Sequence, residues 1–132
     1  MKFLLDTDVV SDSIRNPGGR VAARMATLGP SRVGTSIIVA AELRFWAVKR
    51  GSSMLAAKLD QLLNEISVLP MEPPADEIYA RLRAMLERAG TPIGGNDMLI
   101  AAHALTLDCT LVTGNEREFR RIPGLNLENW LR

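Results

Sequence analysis

Short apolar runs punctuate this chain, and between them the apolar positions recur at helical spacing. Phe3-Leu4-Leu5 opens the series and runs directly into Asp6. Such runs, bounded by turn residues, predict short buried strands. Further strands are expected at Arg32–Thr35, Val68–Met71, Cys109–Thr113 and Leu125–Trp130. A helix is expected from Asp8 to Arg15, where Asn16-Pro17-Gly18-Gly19 breaks it. A second runs from Val21 to Leu28 and stops at Gly29-Pro30. Ser36 opens a long helix that ends near Arg50 before Gly51, with Ile37, Ile38, Ala41, Phe45 and Val48 as its apolar side and Trp46 beside them. Ser52 or Ser53 caps a fourth helix carrying Leu55, Leu59, Leu62, Leu63 and Ile66. Pro73-Pro74 starts a fifth, from Asp76 to Ala89, since proline suits a first turn. Asn96 caps a sixth that runs to Leu107, and a short helical piece follows from Glu116 to Arg120. Strands and helices alternate, so the expected fold is α/β. It is a single domain with a mostly parallel central sheet of about five short strands flanked by helices.

Composition narrows the class without naming a function. At 132 residues, one domain is the natural size. Hydrophobic residues make up 47% and charged residues 23%, which excludes a disordered chain. The net charge of +1 neither announces nor excludes a nucleic-acid binder. Cys109 is the only cysteine, so neither a disulfide framework nor a cysteine zinc site is expected; it reads as a buried strand residue. No stretch approaches the ~18 apolar residues of a membrane span. The expectation is a cytoplasmic protein with no membrane partner.

The chemistry lies in acids at unusual places. Asp6 follows a buried strand, and in open α/β sheets ligands bind beyond the carboxyl ends of the strands. Asp6 or Asp8 would equally serve as a helix cap. Glu42 sits among Ile38, Phe45 and Trp46, where a carboxylate needs a partner or a cation. Asp97 lies in the first turn of an almost wholly apolar helix, just after Gly94-Gly95, which suggests a tight turn or a close backbone approach. The helix dipole favours an acid there in any case. Asn115 and Glu116 follow the strand that ends at Thr113, and Asn115 is also a candidate for a positive-φ turn. Carboxylates converging without His or Cys form an oxygen-donor site, which suits Mg2+ or Mn2+ rather than zinc. His103, the sole histidine, reads as a hydrogen-bonded packing residue on an apolar helix. Arg15, Arg20, Arg117, Arg120 and Arg121 flank the expected mouth, where phosphate contacts use such residues.

Taken in order, Leu5-Asp6-Thr7-Asp8-Val9, Ser36 through Glu42-Leu43, Pro92 through Asp97 to Ala104, and Leu111 through Phe119 with Ile122-Pro123-Gly124 resemble the PIN-domain family, and within it the VapC-type toxins. The resemblance covers nearly the whole chain. It implies a Mg2+- or Mn2+-dependent endoribonuclease, the toxin of a toxin–antitoxin pair, restrained by a VapB-type antitoxin and forming a homodimer through its apolar helices. It implies Asp6, Glu42 and Asp97 as metal-binding acids, with Asn115 beside them positioning a water or a second ion. Many family members have an Asp near position 115, so Asn115 is a departure that bears on the second ion, and Glu116 is a partial substitute. Kinship with enteric-type members implies a structured tRNA as the RNA substrate. Asp6-Thr7-Asp8-Val9 also fits the opening of haloacid-dehalogenase-like phosphatases. Gly114-Asn115-Glu116 lacks the late aspartates these need, and Glu42 and Asp97 would be left unexplained. A further alternative is a non-catalytic module whose acids dock an antitoxin arginine.

Overall fold

β1 (Phe3–Leu5) is the centre of the sheet, and all three of its residues are buried. Its unbroken apolar run is what a parallel strand covered on both faces requires. The computed structural model describes residues 2–132. The other strands are β2 (Val33–Ser36), β3 (Ser67–Leu69), β4 (Thr110–Val112) and β5 (Leu127–Glu128). They lie in the order β3-β2-β1-β4-β5, and every pairing is parallel. Leu5 stands opposite Thr35 on one side and Val112 on the other. The helices are α1 (Thr7–Arg15), α2 (Arg20–Leu28), α3 (Ile37–Arg50), α4 (Ser53–Glu65), α5 (Ala75–Arg88), α6 (Gly95–Leu107) and α7 (Glu116–Phe119). A 3-10 turn, Pro30–Arg32, leads into β2.

The expected α/β fold with its parallel sheet is the fold observed. The core joins the strands to Val9, Val10, Val39, Leu82 and Leu86, and to Met98, Ile100 and the alanines of α6. α6 is buried on most of its circumference, and Ala101, Ala102 and Ala104 let it approach its neighbours closely. β1 has β2 on one side and β4 on the other, so the chain departs in opposite directions from this point in the sheet. That reversal opens a crevice at the carboxyl ends of the strands.

Several elements differ from expectation. β5 shrinks to two residues, because Trp130 leaves the strand to pack on Phe3, with ring centroids 5.3 Å apart. Cys109 is buried but precedes β4. Gly94, not Asn96, occupies the N-cap of α6, and no side chain caps it. The largest departure is α3. Its buried residues are Val39, Ala40 and Ala47, whereas Ile37, Phe45 and Val48 are 45%, 56% and 80% exposed. Of the expected apolar side, Ile38 packs against the core while these three face outward.

Candidate metal and active site

Asp6 is held from two sides at the end of β1. Its Oδ1 accepts a hydrogen bond from the Thr7 N–H at 2.7 Å, and its Oδ2 accepts one from the Thr113 hydroxyl at 2.7 Å. Asp6 is therefore both the N-cap of α1 and a site residue, so the two readings of the sequence coexist. Burial pushes its carboxyl up to about 6. The bonds from Thr113 and Thr7 oppose the shift, and Asp8 and Glu42 add to it by repulsion.

Glu42 arrives from α3 and Asp97 from the first turn of α6. The Thr7 hydroxyl donates to Glu42 Oε2 at 3.2 Å. Asn115 Nδ2 lies 3.3 Å from Asp97 Oδ2 and 2.6 Å from Glu118 Oε2, so one amide bridges two acids. Burial raises the Asp97 pKa, and its hydrogen bond with Glu118 and repulsion from Asp6 raise it further. Glu118 is lowered by the same hydrogen bond with Asp97. Asp8 packs beside Asp6; its Oδ2 accepts from the Gly114 N–H at 2.9 Å, and its Oδ1 is buried without a partner among the described residues.

Asp6, Thr7, Glu42, Asp97 and Asn115 line one cavity of about 620 Å3. Among the described residues none of these acids makes an ion pair. A group of carboxylates this buried and mutually repelling, with one orphaned oxygen at its edge, fits a divalent cation with oxygen ligands. No three acidic, His or Cys side chains among the described residues are tight enough to enclose an ion alone. Mg2+ tolerates that, because it commonly takes one or two carboxylates and retains several waters.

The sequence profile described as the PIN domain matches residues 3–125, a span that contains every one of these residues. This chain belongs to the PIN-domain family. Its curated relatives place it in the VapC branch. It is 36% identical over 132 residues to Ribonuclease VapC2 of Rickettsia felis, covering 98% of each chain. It is 35% identical over 131 residues to the tRNA(fMet)-specific endonuclease VapC of Salmonella typhimurium, again covering 98% of each. Among solved structures, VapBC2 from Rickettsia felis bound to a DNA fragment from its promoter superposes with a TM-score of 0.91 at 34% identity. That match covers 98% of this chain and 99% of the other. DNA-bound VapBC from Salmonella typhimurium gives 0.89 at 34% identity, covering 98% of both.

In this PIN domain the sequence singled out Asp6, Glu42, Asp97 and Asn115, and the fold brings all four to one cavity. It missed Thr7, Thr113 and Glu118. Thr113 looked like the end of a strand, yet it is fully buried and its hydroxyl also accepts from the Asn115 N–H at 3.0 Å. Helical spacing separates Glu116 from Glu118 and corrects the expected substitute for an acid at 115. Glu116 faces away and takes Arg132 at 2.8 Å and Asn129 at 3.1 Å, whereas Glu118 faces Asp97. Asn115 has φ −92, so it supplies no positive-φ turn. Gly114 is needed for space, since a Cβ there would lie 2.6 Å from Asp8 Oδ2 and from Leu131. Gly94 and Gly95 show no such crowding, so the tight approach expected before Asp97 is absent.

His103 is buried away from the acids. Its Nδ1 lies 2.8 Å from Ser36 Oγ, which also caps α3 by accepting from the Ile38 N–H at 3.1 Å. Burial lowers its pKa, which keeps the ring neutral. Of the arginines, Arg15 lines the site cavity, together with Arg50, which the sequence did not single out. Arg20 lines a separate surface hollow, and Arg121 donates to the Pro92 carbonyl at 2.9 Å.

Proposed function

We propose that this chain is a Mg2+- or Mn2+-dependent endoribonuclease, the toxin half of a toxin–antitoxin pair. The observation that carries the reading is the convergence of Asp6, Glu42 and Asp97, all without cationic partners, at the carboxyl end of β1. These acids supply the metal ligands. Asn115 and Glu118 hold Asp97 in place, and Thr113 and Thr7 fix the Asp6 carboxylate so that its oxygens cannot rotate out of the site. When bound, a divalent cation stabilises the charge developing on the phosphate oxygens and makes a water molecule acidic enough to attack. Attack of that water on phosphorus in line would break the bond to the leaving ribose oxygen, and the proton the water gives up would be matched by the one that oxygen takes up. By analogy with the Salmonella relative, whose name specifies tRNA(fMet), the substrate is a tRNA.

The partners follow from the same kinship. The solved relatives are VapBC complexes, so a VapB-type antitoxin is the natural inhibitor. A second, largely apolar groove of about 610 Å3, with Ile14, Met25, Leu62 and Ile66 in its wall, offers it a bed. The outward row of Ile37, Phe45 and Val48 supports a homodimer. Among the described residues no helix is long and apolar enough to cross a membrane.

The test is incubation of the purified chain with end-labelled total RNA in Mg2+, Mn2+ or EDTA. The expected result is cleavage in either metal and none in EDTA. Undiminished cleavage in EDTA, or turnover of a phosphomonoester through an aspartyl-phosphate at Asp6, would overturn the reading.

A further inference from the structure

We propose that Trp46 is a stacking platform for an RNA base next to the scissile phosphate, with Arg50 and Arg15 gripping flanking phosphates. The proposal rests on the nuclease reading above and names how that site holds its substrate.

Glu42, Trp46 and Arg50 follow one another at four-residue intervals along α3, so they form one row on the helix. All three line the site cavity. The row therefore runs from a metal-site acid, through an aromatic face, to a cation. It adjoins the outward row of Ile37, Phe45 and Val48, since the Trp46 ring meets Phe45 edge-on with centroids 5.5 Å apart, so the test below separates stacking from dimer contact.

Besides Asp6, Asp97 and Asn115, the cavity lining includes Ile14, Leu43, Leu55 and Leu59, so the cavity that holds Trp46 has apolar wall as well as acids. A phosphate has no use for such a wall, but the face of a base does. The indole is 46% exposed, so it is available for contact. Its neighbours add positive charge, with Lys49 Nζ 5.0 Å from the ring centroid. Arg15 is steered by its Nε bond to Ser11 Oγ at 3.3 Å, and Ser11 lines the same cavity. Neither Arg15 nor Arg50 makes an ion pair among the described residues. Aromatic stacking suits unpaired bases, which all present a π face, and cations beside it follow the backbone.

Trp46 and Trp130 are the only tryptophans. In a Trp130→Phe background, Trp46 is thus the sole indole reporter. With EDTA present to prevent cleavage, this protein is titrated with a single-stranded RNA dodecamer and with an abasic ribose-phosphate chain of equal length. RNA is expected to quench Trp46 emission and the abasic chain is not. In the otherwise native chain, Trp46→Ala is expected to raise KM for a tRNA(fMet) transcript about tenfold with kcat little changed, and Trp46→Phe to restore most of the loss. Arg50→Gln and Arg15→Gln are each expected to flatten the salt dependence of RNA binding by about 0.7 in log-log slope. Equal quenching by both ligands, or an unchanged KM in Trp46→Ala, would overturn the proposal. So would a Trp46→Ala defect that tracks loss of the dimer in sedimentation. A wild-type chain that cleaves no RNA would remove the nuclease reading, while the quenching experiment would still decide the stacking.

Discussion

Two groups of acids in this molecule have opposite surroundings. Glu116 and Glu128 are matched by cations and donors: Glu116 by Arg132 at 2.8 Å and Arg120 at 3.9 Å, Glu128 by Arg24 at 3.8 Å and the Trp130 indole at 3.0 Å. The Asn129 amide, with Arg132 and Arg120, holds the Glu116 carboxyl below its ordinary range. Asp6, Glu42 and Asp97 have hydroxyls, amides and each other, and no cation. Burial drives Asp6 and Asp97 upward instead. The first group is satisfied by the fold alone. The second is left mutually repelling by the fold, and the proposed divalent cation would relieve that repulsion.

The sharpest way to break this contrast is to delete charge from the unmatched group. Asp6→Asn and Asp97→Asn are each expected to lower RNA cleavage by about 100-fold or more with the fold retained by circular dichroism. Thr113→Val leaves every acid in place but frees Asp6 Oδ2. Loss of such a supporting bond costs about 10–100-fold, to be read in the same cleavage assay. The pH dependence of stability follows next in size. In metal-free protein, folded Asp6 holds its proton to about pH 6, whereas the unfolded chain releases it near 3.8. The raised folded pKa favours the folded state fully below about pH 3.8; from there to about pH 6 the unfolded chain ionises Asp6 while the folded chain keeps it protonated, so stability falls across that window by on the order of 1–3 kcal/mol and is level in this group above it. Asp6→Asn should remove that decline in urea melts made from pH 4 to pH 8. Glu116→Gln, in the matched group, is expected to change cleavage by less than about twofold, because Glu116 does not line the site cavity.

The sheet was legible because parallel strands announce themselves as dense apolar runs, as in Phe3-Leu4-Leu5 and Leu111-Val112. Asp6, Glu42 and Asp97 were legible because each is an acid in apolar company. Other features depend on direction, which a one-dimensional pattern does not carry. Glu116 and Glu118 differ only in which side of a four-residue helix they occupy. Thr113 is chemically ordinary until the fold places its hydroxyl 2.7 Å from Asp6. Periodicity marks apolar positions on α3 but does not say which of them face the core: Ile38 packs against it, while Phe45 and Val48 are exposed.

A divalent cation held by the unmatched acids would stabilise the folded chain. Thermal melting of wild type and Asp97→Asn, with and without Mn2+ at fixed pH, addresses it directly, since a ligand bound only by the folded state raises Tm. A Mn2+-dependent rise in Tm is expected for the wild-type chain and is expected to be largely lost in Asp97→Asn. An equal rise in both proteins, or none in the wild type, would contradict it.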